Sequence, residues 1–570
     1  MKSMSDDVGH SEWDHLWHPI RSVETHYNKH SCERVKNRII GVWVSFDDYE
    51  LPSDIDWGAD PFENKTWKLY FNSLNWLYAL FWGIDNERDD PALLHSYVME
   101  YCSYLLEGDV NDMAWFDHAT SDRLCFLAAL LSHPSTKSLD GEMRTVIEQA
   151  IHLHIDNIKE YYDSELWFDN NHGIFHAMAL INISHIFSEG TGGFDVKKLG
   201  TDYLRIALSG IIDVEDGISL EQSLYYHQLA IELLETIPFN ALDDIDLDIE
   251  DIIKRMILSN GWFTLNGRLM PAIGDTSLIA HAPAKYMPDN SLEYGMRVYA
   301  RGGMTIVKNI NEGLIDHFTM LHRLERAAHG HFDALSITLS HNNKQFLIDS
   351  GGPYNYGSKI RYSYFISNLA HNVIVINGKT HQSGAAFLGS TDHGNRNYSV
   401  AALHRGYEPI VHRRDAFILH DCGVIVVDTL EGIREMTRLD ILWHIHPDCE
   451  VDAALQPIRL HHAEQNVLIH THPSFANSHS IISGSEDDQP QGWVTEGIAN
   501  KRPCPTIVFS TSCSKPTTIT TFFQFGECGV TDVTVNEAGG VTMKRGGQNV
   551  SISFEEGVFN LVETTDHHEI

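Results

Sequence analysis

The feature that most limits what this chain can fold into is a change of hydrophobic period near residue 295. Before it, apolar residues recur at i, i+3 and i+4, the spacing of an amphipathic helix. Leu69, Leu74, Leu77 and Leu80 keep that spacing in KLYFNSLNWLYALFWGI, as does DRLCFLAALL from Leu124 to Leu131. MRTVIEQAIHLHIDNIKEYY, IFHAMALINISHIF, LEQSLYYHQLAIELLETI and IEDIIKRMILSNGWF repeat it, joined by turns rich in Asp, Asn and Gly. From MRVYARGGMTIVKN onward the runs are short, β-branched and aromatic: DALSITLSH, KQFLIDSGG, HNVIVING, GVIVVDTLEG, RLDILWHIHP, NVLIHTH, PTIVFSTS and TTITTFFQFG. Gly, Asn, Asp and Pro punctuate them, as strands and hairpins require. One core does not serve both periods, and a chain of 570 residues is long enough for two. The reading is a multidomain α+β protein. Serial helical hairpins over residues 1–290 predict a solenoid or a closed (α/α) toroid. An antiparallel β-sandwich follows over 291–570, with the boundary in the turn-rich Ala282–Glu293.

Charge narrows the partners. With 41 Lys and Arg against 78 Asp and Glu, the formal net charge is −37. Binding to nucleic acid or to an anionic membrane needs clustered cations, so both are excluded as expectations. No apolar run reaches the length of a bilayer span. The first residues, MKSMSDD, lead into polar sequence without the apolar core of a secretory signal. The eight cysteines are scattered without C-x-x-C pairs, as buried free thiols of a reducing compartment are. The expected location is cytoplasmic, or periplasmic or secreted if a signal was removed.

Four clusters could carry chemistry. Trp167-Phe-Asp-Asn-Asn171-His172-Gly173 lies between two helical segments, where Gly173 permits a positive φ as a helix begins. In isolation a helix connection with a capping Asn accounts for it better. In Asp216-Gly-Ile-Ser-Leu-Glu221-Gln-Ser-Leu-Tyr225-Tyr226-His227 a turn leads into a helix presenting Gln222, Tyr226 and His227 on one side, again a pattern that ordinary packing explains. Alternation in Glu325-Arg-Ala-Ala-His329-Gly-His331-Phe-Asp333-Ala-Leu335 places His329, His331 and Asp333 on one strand face, continuing as Leu335, Ile337 and Leu339 into the core. Three convergent ionisable groups favour function over structure. The fourth runs from Asp349-Ser-Gly-Gly through Arg361-Tyr362 to Ala370-His371-Asn372. With His331 it offers a His/Asp/His set suited to zinc. A regular hairpin turning at Asn342-Asn343 would put Asp349 opposite Ser336 and leave His331 too far away along an extended strand. A shared ion therefore requires a bulge or another register.

In this order the clusters resemble the heparinase II/III-like superfamily of polysaccharide lyases, whose members include heparin, alginate and oligoalginate lyases. HGHFDALSITL…FLIDSGG followed by RYSYFISNLAHNVIVING carries most of the likeness, and Asn-His-Gly and D-G…E-Q-S…Y-Y-H support it. The resemblance implies β-elimination on a uronate-containing poly- or oligosaccharide. Asn171 and His172 would contact the uronate carboxylate and stabilise the enolate. Tyr226 would protonate the leaving oxygen, with Tyr225 as the competing position. His329 would be the base, imidazole ordinarily titrating near neutrality. His331, Asp349 and His371 would hold a structural zinc ion, with no organic cofactor. Asp117, His118, Arg123, Tyr356 and Arg361 are further substrate contacts on this reading, packing roles being open for each. A homodimer is also an expectation. Two alternatives stay in view: a uronyl C5-epimerase abstracting the same proton, and a non-catalytic glycan-binding protein. A toroid glycosidase is weaker, Glu221 and Asp275 being its nearest carboxylates. Substrate is open, because cations cluster only in RLERAAHGH and LHRGYEPIVHRR. That leaves alginate-like, hyaluronan-like or bacterial exopolysaccharide chains at least as open as sulfated glycosaminoglycan, and the lack of a visible export signal suggests imported oligosaccharides.

Overall fold

A computed structural model describes residues 27–42, 46–108, 110–134, 137, 139–164, 170–236, 248–288, 293–356, 358–454, 456–472, 478–498, 500–526, 528–536, 539–555 and 558–565. The N-terminal segment read above for a leader lies outside them. The chain forms two compact units. One takes the described residues up to Ile212 with those of Ala230–Asp251, the other Asp213–Leu229 with those from Ile252 onward. The sequence reading draws a single cut near 290, where the two periods meet. The units interleave for a physical reason: Ile218, Leu224, Phe263, Met270, Ile273 and Ala282 share one core with Tyr299, Met304, Ile306 and Leu321 of the first strands.

The first unit is helical. Gly141–Asp163 is capped by the Asp140 carboxylate, which accepts from the N–H of Met143. Asn171–Ile183 packs against Asp117–Ser132 and Val196–Ile211. Gly200 permits that approach, since a Cβ there would stand 3.1 Å from the Ala177 carbonyl oxygen. The run read as one helix in KLYFNSLNWLYALFWGI is two, Lys65–Asn72 and Tyr78–Glu87, because Leu74 takes a left-handed φ of 62° between them. Asn72 and Ser73 are fully buried at that break, and Tyr101 donates to the Asn72 side chain at 2.8 Å. Among the described residues no helix is long and apolar enough to cross a membrane.

The second unit is built from antiparallel strands. Gly295–Tyr299, Met304–Asn311, Leu314–Leu321, Ile337–His341 and Lys344–Leu347 form a five-stranded sheet in chain order. An eight-stranded sheet centres on Gly423–Glu431, a four-stranded sheet contains Thr437–His444, and Val530–Thr565 forms a further four-stranded meander. The continuous apolar run VIVV in the central strand is explained by burial on both faces. Val424 and Val426 face a large core with Leu339, Trp443 and Phe523, while Ile425 and Val427 face a second core with Val541, Met543 and Ile552 of the meander. The β-region is therefore layered, where one sandwich was the expectation. Lys308 ties a strand to a helix: it is buried and its ammonium donates to the carbonyls of Gly261 at 2.6 Å and Thr264 at 2.8 Å, the C-terminus of Ile249–Phe263.

Candidate active site

The densest polar cluster of the second unit gathers on the Asp275 carboxylate, which is fully buried. Arg361 grips it with two parallel bonds, Nη1 to Oδ1 at 2.8 Å and Nη2 to Oδ2 at 2.9 Å. His331 Nε2 donates to Oδ1 at 3.0 Å, His329 Nδ1 donates to Oδ2 at 3.0 Å, and the Tyr356 hydroxyl donates to Oδ2 at 3.4 Å. Burial by itself would raise the pKa of Asp275; the hydrogen bonds from His329, His331 and Arg361 together hold it well below the usual carboxylate range.

Tyr226 stands beside this group. Its ring stacks on His329 with centroids 3.3 Å apart and planes 10° from parallel, and its hydroxyl lies 2.9 Å from that of Tyr356. Because Tyr356 gives its proton to Asp275, its oxygen accepts from Tyr226. Burial raises the Tyr226 phenol far above its ordinary value, so it keeps its proton at neutral pH. Tyr225, the competing position, is 50% exposed, with its backbone N–H on Thr276 Oγ1 at 3.0 Å.

Two local backbone choices build the cluster. The helix read from Leu220 onward begins only at Leu224, and Gln222 precedes it with a φ of 61°. From there Gln222 accepts the N–H of Ala327 at 2.9 Å and donates to the Glu325 carbonyl at 2.6 Å, holding the His329 loop. His329, His331 and Asp333 lie in that loop and not on a strand face, which corrects the alternation reading; Leu335 turns with a φ of 69° and the strand begins at Ile337. Asp333 is bound to Arg323 at 2.7 Å, both buried.

The loop also answers the distance objection to a shared ion. Asp349 does lie near Ser336, whose hydroxyl donates to it at 3.4 Å. His331, however, is not carried away along an extended strand, so His331, Asp349 and His371 each offer a ligand atom within 4.8 Å of the others, all buried. His371 Nδ1 donates to Asp349 at 2.7 Å. The remaining nitrogens, His331 Nδ1 and His371 Nε2, are buried without a hydrogen-bond partner. With the other nitrogen of each ring protonated toward a carboxylate, these two carry lone pairs. Two orphan imidazole nitrogens beside a buried carboxylate fit the donor preference of zinc.

The first unit pairs His172 with Asp117. Asn170 caps the helix Asn171–Ile183, so Asn171 and His172 open it, and Gly173 is helical, without the positive φ read from the sequence. His172 Nδ1 is bound to the buried carboxylate of Asp117, at the start of Asp117–Ser132. The rings of His118 and His172 lie 4.3 Å apart. Trp167, Phe168 and Asp169 of this motif fall outside the described residues. Arg123, read as a grip on substrate, is instead a brace: it is fully buried, donating to His154 Nε2 at 3.0 Å and to the carbonyls of Asn72 at 2.7 Å and of Ala114. Arg361 is likewise spent on Asp275, and in the basic run LHRGYEPIVHRR Arg413 and Arg414 are paired with Asp415 and Asp428. Sequence reasoning named Asp117 only as a substrate contact beside His118 and Asp275 only as a glycosidase carboxylate, and missed the bonds that they make to His172 and to His329 and His331. Asp275 sits in the aperiodic PAIGDTS, where only its isolation in an apolar, Gly-containing turn marked it.

Comparison with known proteins bears on the fold. Residues 313–521 match the family described as heparinase II/III-like, C-terminal. No curated protein matches the chain by sequence. Among solved structures, one titled heparinase III superposes with a TM-score of 0.72 at 14% identity, covering 97% of this chain and 94% of its own. A lysine-methylated heparinase III gene product gives 0.67 at 14% identity, covering 97% and 93%. The heparan sulfate lyase HepC from Pedobacter heparinus gives 0.60 at 14% identity, covering 98% and 92%. At such identities the likeness is one of fold.

Proposed function

For a chain whose residues 313–521 match the heparinase II/III-like C-terminal family, we propose a polysaccharide lyase that cleaves a uronate-containing glycan by β-elimination. The observation that carries this is the pairing of Tyr226 with His329 at 3.3 Å over a buried carboxylate. Elimination removes the proton on carbon 5 and expels the oxygen on carbon 4, leaving a double bond between them. The base needs a free lone pair, and His329 has one at Nε2 because Nδ1–H is committed to Asp275. The acid needs a proton that it keeps until the leaving oxygen takes it, and the buried Tyr226 phenol has that property. Asn171 and His172 would hydrogen-bond the uronate carboxylate as the enolate develops. Asp117 on Nδ1 of His172 would fix that ring as Asp275 fixes His329. His331, Asp349 and His371 would hold zinc, which when bound braces the loop that carries His329. On the same reading the helical unit is an (α/α) toroid.

Substrate class follows from where the cations are. Arg323, Arg361, Arg413 and Arg414 are paired internally, while Arg326, on the same loop as His329, is exposed. With a net charge of −37 this favours uronate chains of low sulfation. The test is incubation with heparan sulfate, chondroitin, hyaluronan and alginate, following the ultraviolet absorbance of the 4,5-unsaturated product. Absorbance should grow on at least one glycan and be lost in Tyr226→Phe; growth undiminished in that variant would remove Tyr226 from the reaction.

A further inference from the structure

We propose that Asp275 is a positioning residue that fixes His329 as the base tautomer and His331 as the metal-ligand tautomer at once, so that one buried carboxylate couples the two groups. The inference rests on the lyase reading for the role of His329 and on the zinc reading for that of His331. A carboxylate can only accept, so each ring facing it must carry its proton on the facing nitrogen. For His329 that nitrogen is Nδ1, which leaves Nε2 to take a proton. For His331 it is Nε2, which leaves Nδ1, buried and without a hydrogen-bond partner, to ligate. A metal-bound histidine characteristically donates its other N–H to a carboxylate, which orients the ring and strengthens the ligand.

Charge balance alone would not call for this arrangement. Arg361 already neutralises Asp275 through both oxygens, yet the carboxylate also takes both histidines and Tyr356. The backbone is shaped to bring them together. Gly274 has a φ of +57°, and a Cβ there would lie 2.2 Å from the Gln222 carbonyl oxygen and 2.7 Å from that of His329. The next N–H, that of Asp275, donates to the His329 carbonyl at 2.9 Å. The carboxylate is thus pinned to the loop whose two imidazoles it orients.

An Asn at this position offers one acceptor oxygen and turns an NH2 toward a ring or a guanidinium that also donates. In Asp275→Asn, zinc affinity measured by chelator competition should fall by about 10–100-fold. On the cleaved glycan kcat should fall by about 100-fold or more while KM changes little, the pattern of a misplaced tautomer. Folding is followed by circular dichroism. If the single variant does not fold, Asp275→Asn with Arg361→Gln removes the buried cation together with its counterion, and the same changes are expected. In the wild-type protein, ring-nitrogen NMR of 15N-histidine, assigned with His329→Gln and His331→Gln, should place the proton on Nδ1 of His329 and on Nε2 of His331. Unchanged zinc affinity in a folded variant, or a wild-type His329 protonated on Nε2, overturns the proposal. If the wild type cleaves no glycan the lyase reading fails, and the zinc and NMR measurements still decide whether Asp275 holds both rings.

Discussion

Tyr225 and Tyr226 are adjacent in sequence and differ in almost everything around them. The first is half exposed; the second is stacked on His329 and hydrogen-bonded to Tyr356. Tyr226→Phe should therefore lower kcat by about 100–10,000-fold, the range of a lost general acid, while Tyr225→Phe changes it by no more than a few-fold. Initial rates of product absorbance check both. The tyrosine pair, His329 and the His331, Asp349 and His371 set could all be picked out from residue type and order. Asp275 could not be ranked among them. Its donors lie at 329, 331, 356 and 361, and nothing in PAIGDTS has a period that says which loops it meets. Arg123 misleads for the converse reason: sequence shows a cation but not the backbone carbonyls that consume it.

Elements were legible where a period ran uninterrupted. The reading of Ile249–Phe263 as a helix matches its observed bounds, and the strand runs from Gly423 and Thr437 appear as strands. Failures fall where one residue takes a left-handed φ inside an otherwise regular pattern, as Leu74, Gln222 and Leu335 do. Those positions split a helix, delay a helix start and bend a supposed strand into the His329 loop. Gly274 is the position where such geometry supports the site most directly. Gly274→Ala combines a strained backbone with a Cβ 2.2 Å from the Gln222 carbonyl oxygen, and should cost at least ~1–3 kcal/mol. The urea midpoint measures it, and the variant should also lose activity, because the adjacent Asp275 must shift. A midpoint and rate equal to those of the wild type would remove Gly274 from the account.

At the scale of the whole molecule, the change of period announced two architectures, while the interleaving of the units was hidden because it depends on side chains meeting across distant segments. The many buried histidines give the molecule a pH dependence. Burial lowers His227 to about 4, His317 to about 3 and His154 to about 3. Each stays neutral when folded and takes a proton when unfolded, so the unfolded state binds more protons as pH falls below the ordinary histidine value. Stability is thus full above about pH 6.5 and is lost progressively toward pH 4. Melting temperature measured from pH 7.5 to 5 should fall steadily, and a flat profile would contradict neutral burial. Whether elimination occurs is decided by running the reaction in deuterium oxide on the glycan that the protein turns over, with proton NMR of all products. Elimination should give cut chains ending in a 4,5-unsaturated uronate, with no deuterium at carbon 5 of the uncut residues. Intact chains carrying deuterium at carbon 5 would instead mean that the proton is removed and replaced without elimination, and would contradict it.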